Sequence, residues 1–304
     1  MSGHLLRLGL KTGLRLLFKA PAMLPLPAPW LRTGQAGLSR LAAQVPEHET
    51  SNVHLGGVAC ERHGNSRACA VLYLHGGSFI AGSPRTHRGL AHALSRELGA
   101  SVFAVDYRLA PEHPYPAATE DALAAWRGLR AMGYRHDQLL VAGDSAGGSL
   151  ALTLTLALRD KGEALPVALL LMSPLLDLSL GSNAMRSLSG RDPMLSRNML
   201  ARAVDWYRKD LATDDPRISP LHADLRGLPP MLVQVGSEEI LLDDALALEQ
   251  QARLAGVSIE CQIWPGLWHD FQLFQGLLPE AALALEAMSR FVDAVFAGED
   301  PCLR

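Results

Sequence analysis

The sequence predicts a three-layer α/β architecture, a mostly parallel central sheet with helices on both faces, and three observations carry this. Short, nearly continuous apolar runs recur along the chain between turn residues, as in strands buried on both faces. Helical stretches fall between most of these runs, and strand–helix alternation of this kind builds a parallel sheet. At 141–150, VAGDSAGGSL, a strand runs into a helix through a turn of small residues, with Gly143 two before Ser145 and Gly147 two after it. The missing side chains leave room for a sharply bent backbone that exposes the Ser145 hydroxyl.

Taken in order, residues 4–19 place Arg7, Lys11, Arg15 and Lys19 four apart among leucines. That spacing puts the charges on one side of a helix. The helix either packs on the body, the favoured reading, or lies on a membrane surface. Prolines at 21, 25, 27 and 29 make residues 20–30 a linker. Segments 52–55 and 58–62, split by Gly56-Gly57, form an antiparallel hairpin. Strands are predicted at 69–74, 101–105, 138–142, 167–172, 231–235 and 258–263, and helices at 86–98, 117–131, 146–160, 241–255 and 279–296. Residues 178–228 interrupt the rhythm with one helix, 196–209, and no clear strand.

Composition narrows the class. A chain of 304 residues that is 48% hydrophobic can bury one large α/β core. Its net charge of -3 gives no reason to expect a nucleic-acid partner. Cys60, Cys69, Cys261 and Cys302 lack metal-type C-x-x-C pairing, and nothing demands disulfides, so a reducing compartment is the default. No apolar run is long enough for a bilayer, and cations interrupt any signal-peptide core near the N-terminus. The expected location is cytoplasmic.

In an open parallel sheet, ligands bind beyond the carboxyl ends of the strands. The residues following the predicted strands there include His75-Gly76-Gly77, Asp106-Tyr107-Arg108, Gly143-Asp144-Ser145, Gly236-Ser237-Glu238-Glu239 and a loop ending in Trp268-His269. A serine, carboxylates and a histidine therefore converge on one edge. A serine hydroxyl needs a base within hydrogen-bond reach, and the base needs a third group that fixes its tautomer and stabilises its cation. Ser145, a carboxylate near 239 and His269 supply those types in the chain order Ser, acid, His. Glu238, Glu239, Asp243 and Asp244 all lie close enough to be the acid. Negative charge on a carbonyl oxygen calls for free backbone N–H groups, and Gly76, Gly77 and Ala146 are placed to offer them.

The chain resembles the hormone-sensitive-lipase family of carboxylesterases, within the α/β-hydrolase fold. The resemblance spans about 70–275 and rests on HGGSFIAGS (75–83), DYRLAPEHPYPAA (106–118), GDSAGG (143–148), SPLLDL (173–178), DPRISPL (215–221), VGSEEILLDDA (235–245) and WHDFQLF (268–274). It implies hydrolysis of short- to medium-chain esters through an acyl-serine, with Ser145 as nucleophile, His269 as base and Glu239, which directly precedes Ile240-Leu241, as the acid. It gives His75 a structural role, and has Asp106, Arg108 and Glu112 brace loops. Trp264 and Trp268 read as core or pocket wall. Asp144 is left without a catalytic role, as a helix cap or a brace for the turn. The resemblance also implies a helical cap from residues 1–45 and 178–228 on a catalytic domain of 46–304, no metal or organic cofactor, and a homodimer as the partner state. One departure stands out: the usual third glycine of the oxyanion loop is Ser78, which would be strained if its φ is positive. A peptidase or amidase on the same fold, and a ligand receptor without turnover, are the competing readings. The presence of both Ser145 and His269 argues against the receptor.

Overall fold

The computed structural model describes residues 2–39, 45, 50–66 and 68–299. Eight strands form one sheet: β1 (Thr50–Leu55), β2 (Val58–His63), β3 (Ala70–Leu74), β4 (Ser101–Val105), β5 (Leu139–Asp144), β6 (Ala168–Met172), β7 (Met231–Gly236) and β8 (Ile259–Trp264). Their spatial order is β1-β2-β4-β3-β5-β6-β7-β8. The hairpin β1–β2 is antiparallel and joins β4 antiparallel, whereas every pairing from β4 to β8 is parallel.

The strands are continuous apolar runs because both faces are covered. Every residue of β3, β4, β5 and β6 is buried. Alternate side chains serve different layers, as a pleat of period two requires. Leu72, Leu74, Phe103 and Val141 join one core, with Trp126 of α5 (Ala117–Ala131), Leu150 of α6 (Ala146–Asp160) and Leu248 of α9 (Leu242–Leu254). Val71, Tyr73, Val102 and Leu140 join the other, with Leu90 of α4 (Arg88–Glu97) and Met288 and Phe291 of α10 (Pro279–Phe296). This is the three-layer arrangement the sequence predicts, with boundaries displaced by one or two residues.

Between β6 and β7 the chain forms two α-helices, α7 (Asn183–Ser187) and α8 (Arg197–Tyr207), a short 3-10 turn at Pro220–His222, and no strand. Each α-helix starts on a serine whose hydroxyl accepts from a backbone N–H, Ser182 from Met185 at 3.2 Å and Ser196 from Met199 at 3.3 Å.

At the N-terminus, α1 (Ser2–Leu14) runs through a π turn, Arg15–Lys19, into α2 (Ala20–Met23), and α3 spans Ala28–Ser39. The proline segment is thus shorter as a linker than the expected 20–30. The wider π turn lies just ahead of Pro21, whose ring and missing N–H fit an α-turn poorly. Pro29 falls in the first turn of α3, where no N–H is needed. Only Pro25 and Pro27 lie in the break, and Arg202 secures that stretch through the carbonyls of Leu24 and Ala22 at 2.5 and 2.8 Å. The side of α1 that meets the body carries its cations. Lys11 Nζ lies 2.6 Å from Glu238, Arg7 pairs with Glu280, Arg15 donates to the Gly190 and Arg191 carbonyls at 3.2 and 3.1 Å, and Lys19 to those of Ser189 and Asp192, each at 2.7 Å. Residues 40–44 of the expected cap, and Cys302, lie outside the described residues. Among the described residues, no helix is long and apolar enough to cross a membrane.

Candidate active site

Ser145 sits between the end of β5 and the start of α6, with φ 53° and ψ -120°. Such a conformation costs a non-glycine residue about 1–3 kcal/mol and persists only where neighbours fix it. Here the Ser145 N–H donates to Met172 O at 2.8 Å, and its carbonyl accepts from Ser149 and Leu175 at 3.2 and 3.1 Å. The two glycines are steric requirements. A Cβ on Gly143 would lie 2.3 Å from Gly147 O, and one on Gly147 would lie 2.0 Å from Leu74 O.

His269 follows β8 and brings its Nε2 to 3.0 Å from Ser145 Oγ. Its Nδ1 lies 2.9 Å from Glu239 Oε2. Glu239 is fully buried and is held at its other oxygen by the Ser173 hydroxyl, at 2.9 Å, and by the Gly236 N–H. Burial pushes its carboxyl above the usual range, and the hydrogen bond with His269 counters this. The other three carboxylates near that strand end face elsewhere. Glu238 pairs with Lys11, Asp243 accepts from Ala184 N at 2.7 Å, and Asp244 accepts from Leu176 N and Asp177 N at 2.8 and 3.1 Å.

The loop expected to offer oxyanion donors differs from that expectation at Gly76. The Gly76 N–H donates to Asp144 Oδ2 at 3.0 Å, so it is not free for a substrate oxygen. No side chain fits there, since a Cβ on Gly76 would meet that carboxylate oxygen at 2.3 Å. Asp144 also accepts from the Tyr73 hydroxyl and lies 3.3 Å from His87 Nε2, which makes it the brace between the loop and the serine turn. Among the described residues, the N–H groups of Gly77, Ser78 and Ala146 carry no hydrogen bond. Gly77 and Ser78 line the same cavity as Ser145. Ser78 adopts φ 55° and Phe79 φ 62°, so the serine that replaces a glycine does take the left-handed conformation. The Phe79 ring stacks on Tyr207 at 3.8 Å between centroids, which helps hold the loop. His75 is buried, and burial pulls its imidazole down to about 3, so it is neutral. Its Nδ1 lies 2.8 Å from Gly76 O, in keeping with a structural role.

Asp270 carries a role the sequence reading missed. It is buried, takes φ 51°, and puts Oδ2 at 3.0 Å from His269 Nε2, the nitrogen that also faces Ser145. Burial pushes its carboxyl up to about 7. Burial acts to lower His269, but the Asp270 and Glu239 carboxylates more than offset this and hold it well above the ordinary imidazole range. Ser173 was also missed; besides donating to Glu239 it accepts from the Asp270 N–H at 3.1 Å, tying the acid to the histidine loop. The signal for Asp270 was its position directly after His269, and for Ser173 its place at the end of β6.

The remaining candidates brace the frame. Arg108 grips Asp121 with two nitrogens, and Glu112 pairs with Arg32 of α3. Trp268 is fully buried and Trp264 half-buried, and neither lines the cavity. Asp106 is exposed just past the carboxyl end of β4, and among the described residues no ion pair involves it. A cavity of about 130 Å³ lies against Ser145, His269 and Asp270. Its other walls are mainly apolar, from Phe18 and Leu31 at the N-terminus, Met194 and Met199 beside α8, and Leu273. Among the described residues, no cluster of His, Cys, Asp or Glu could hold a metal ion.

A serine turn of this kind, at the carboxyl edge of a mostly parallel eight-stranded sheet, defines an α/β hydrolase. The sequence matches the family described as alpha/beta hydrolase fold over residues 71–273, and the chain belongs to that family. It is 38% identical over 285 residues to an esterase of Acinetobacter venetianus, covering 93% of this chain and 94% of that one. It is 45% identical over 225 residues to an acetyl-hydrolase of Streptomyces hygroscopicus, covering 73% and 74%. Among solved structures it resembles an esterase from the bacterial hormone-sensitive lipase family, with TM-score 0.89 and 34% identity, covering 94% of this chain and 98% of that one.

Proposed function

We propose that the protein is a serine carboxylesterase that hydrolyses short- to medium-chain esters through an acyl-serine intermediate. The observation that carries this reading is the buried chain Ser145 Oγ–His269–Glu239, with contacts of 3.0 and 2.9 Å. Nε2 of His269 takes the Ser145 proton as Oγ attacks the ester carbonyl carbon. Glu239 accepts from Nδ1–H and stabilises the imidazolium that forms. The carbonyl oxygen gains negative charge, which the free N–H groups of Gly77 and Ala146 stabilise by donating hydrogen bonds. The Ser78 N–H takes the place first expected of Gly76. His269 then returns the proton to the leaving alcohol oxygen as the carbon–oxygen bond breaks. A water enters, loses its proton to the same nitrogen and attacks the acyl-serine, and the acid departs with Ser145 Oγ reprotonated. No step calls on a metal or an organic cofactor.

The substrate class follows from the walls. Residues 2–39 and 178–228 together supply most of the apolar lining and act as the cap, which leaves a small cavity suited to a short acyl group. The relatives named esterase and acetyl-hydrolase point the same way. The test is a series of soluble p-nitrophenyl esters of rising acyl length. Wild-type protein should turn over the short members, with the rate falling as the chain outgrows the cavity. Ser145→Ala should lose several powers of ten in kcat while remaining folded. Near wild-type turnover in that variant would sink the reading.

A further inference from the structure

Helix α1 is apolar on two sides: Leu10 and Leu14 pack against the core, and a second set of leucines faces outward. A surface helix ordinarily sends its charges to water and its leucines to the body. Here all five described cations of residues 2–39 reach body partners: Arg7, Lys11, Arg15 and Lys19 as above, and Arg32 through Ile80 O, Ala110 O and Glu112. The outward stripe is Leu5, Leu8, Gly9, Thr12 and Leu16, at the i, i+3, i+4 spacing of one helix face. Leu5, Leu8 and Leu16 are 64%, 52% and 65% exposed, and Trp30 at the start of α3 is 70% exposed. The segment up to Ser39 has no acid. The result is an exposed apolar stripe on a segment without acids.

This surface is continuous with the candidate active site. Leu17 and Trp30 are both exposed and both line the cavity that holds Ser145. We propose that the outward face of α1 and α3 is an adsorption surface for a neutral, aggregated ester, a droplet or micelle of the substrate itself. The position of this face at the cavity mouth favours this occupant over an anionic bilayer, and Arg7, Lys11 and Arg32, each paired with a carboxylate of the body, are withheld from lipid phosphates. An enzyme adsorbed by this face has its cavity mouth on the droplet, so an ester enters without crossing water. The proposal rests on the esterase reading for its substrate, whereas adsorption can be measured without turnover.

The test uses Leu5→Gln/Leu8→Gln/Leu16→Gln in the full chain, since none of these three lines the cavity and glutamine is a good helix former. Flotation of the inactive Ser145→Ala protein with tributyrin emulsion reads adsorption alone. That protein should float with neutral droplets and not with anionic phosphatidylserine vesicles. The triple substitution should cut the floated fraction at least tenfold. In active protein it should leave the rate on dissolved p-nitrophenyl acetate unchanged and remove any rise in rate above the solubility limit of tributyrin. Failure to float, or flotation with anionic vesicles only, overturns the proposal. So does a wild-type dimer in sedimentation that the triple variant converts to monomer, because the face would then belong to a second copy. Loss of turnover on dissolved esters, with flotation intact, would overturn the esterase reading and not the surface.

Discussion

Asp270→Asn should move the acid limb of the pH–rate profile downward. Asp270 Oδ2 and His269 Nε2 are 3.0 Å apart, and both residues are buried. A carboxylate at that distance stabilises imidazolium, and an opposite charge within contact range shifts a pKa by about 1–3 units. At 1.36 kcal/mol per unit, the carboxylate contributes roughly 1.4–4 kcal/mol toward the protonated histidine. The sign follows. Protonated Nε2 cannot accept the Ser145 proton, so the carboxylate raises the pH at which the base becomes available. Asparagine keeps the shape and removes the charge, so the histidine loses its proton at lower pH. The assay is kcat/KM on a soluble acetate ester between about pH 4 and 9, with thermal unfolding as the control for fold. The limb should move toward acid by about one unit or more. Because the pair shares protons, the limb belongs to the pair and not to one residue. An unmoved limb, or one displaced toward base, would refute the electrostatic role given to Asp270.

The triad acid is tested in the same assay: Glu239→Gln should lower kcat by roughly 10²–10⁴-fold with little change in KM, whereas Glu238→Gln should leave kcat near wild type. Crippled turnover in Asp243→Asn or Asp244→Asn with an intact Glu239→Gln enzyme would move the acid to another position. Gly147→Ala forces a Cβ against the Leu74 carbonyl, which cannot yield as a side chain would; it should cost about 1–3 kcal/mol or more in denaturant unfolding and take activity with it. Removal of residues 1–39 strips Phe18 and Leu31 from the cavity wall, so chain-length preference should change and aggregation increase. A soluble truncated protein with an unaltered ester profile would count against the cap.

How much of this was legible in the sequence depended on whether a signal was local. The strands were readable because β3 to β6 are buried on both faces and so are apolar at every position. Ser145 and His269 were readable because the glycines of the turn and the chain order are features of the sequence itself. The choice among Glu238, Glu239, Asp243 and Asp244 was harder, since four carboxylates within seven positions differ only in which way a turn and the start of α9 aim them. Gly76 was misassigned as a free donor because its partner, Asp144, lies 68 positions away, and only the packed loop brings them together. The spacing of Arg7, Lys11, Arg15 and Lys19 put the cations on one side of a helix but carried no information on which side meets the body. The acceptors that decide it, Glu280, Glu238 and the 189–192 carbonyls, are distant in the chain.

The central claim, covalent catalysis by Ser145, is tested most directly by mass spectrometry after reaction with a serine-directed alkyl phosphonate. Wild-type protein should gain one adduct, mapped to the peptide that carries Ser145, in step with the loss of esterase activity. Ser145→Ala should gain none, and His269→Ala should react far more slowly, because the hydroxyl then lacks its base. An adduct on another residue with activity abolished, or full inactivation without an adduct at Ser145, would contradict the account.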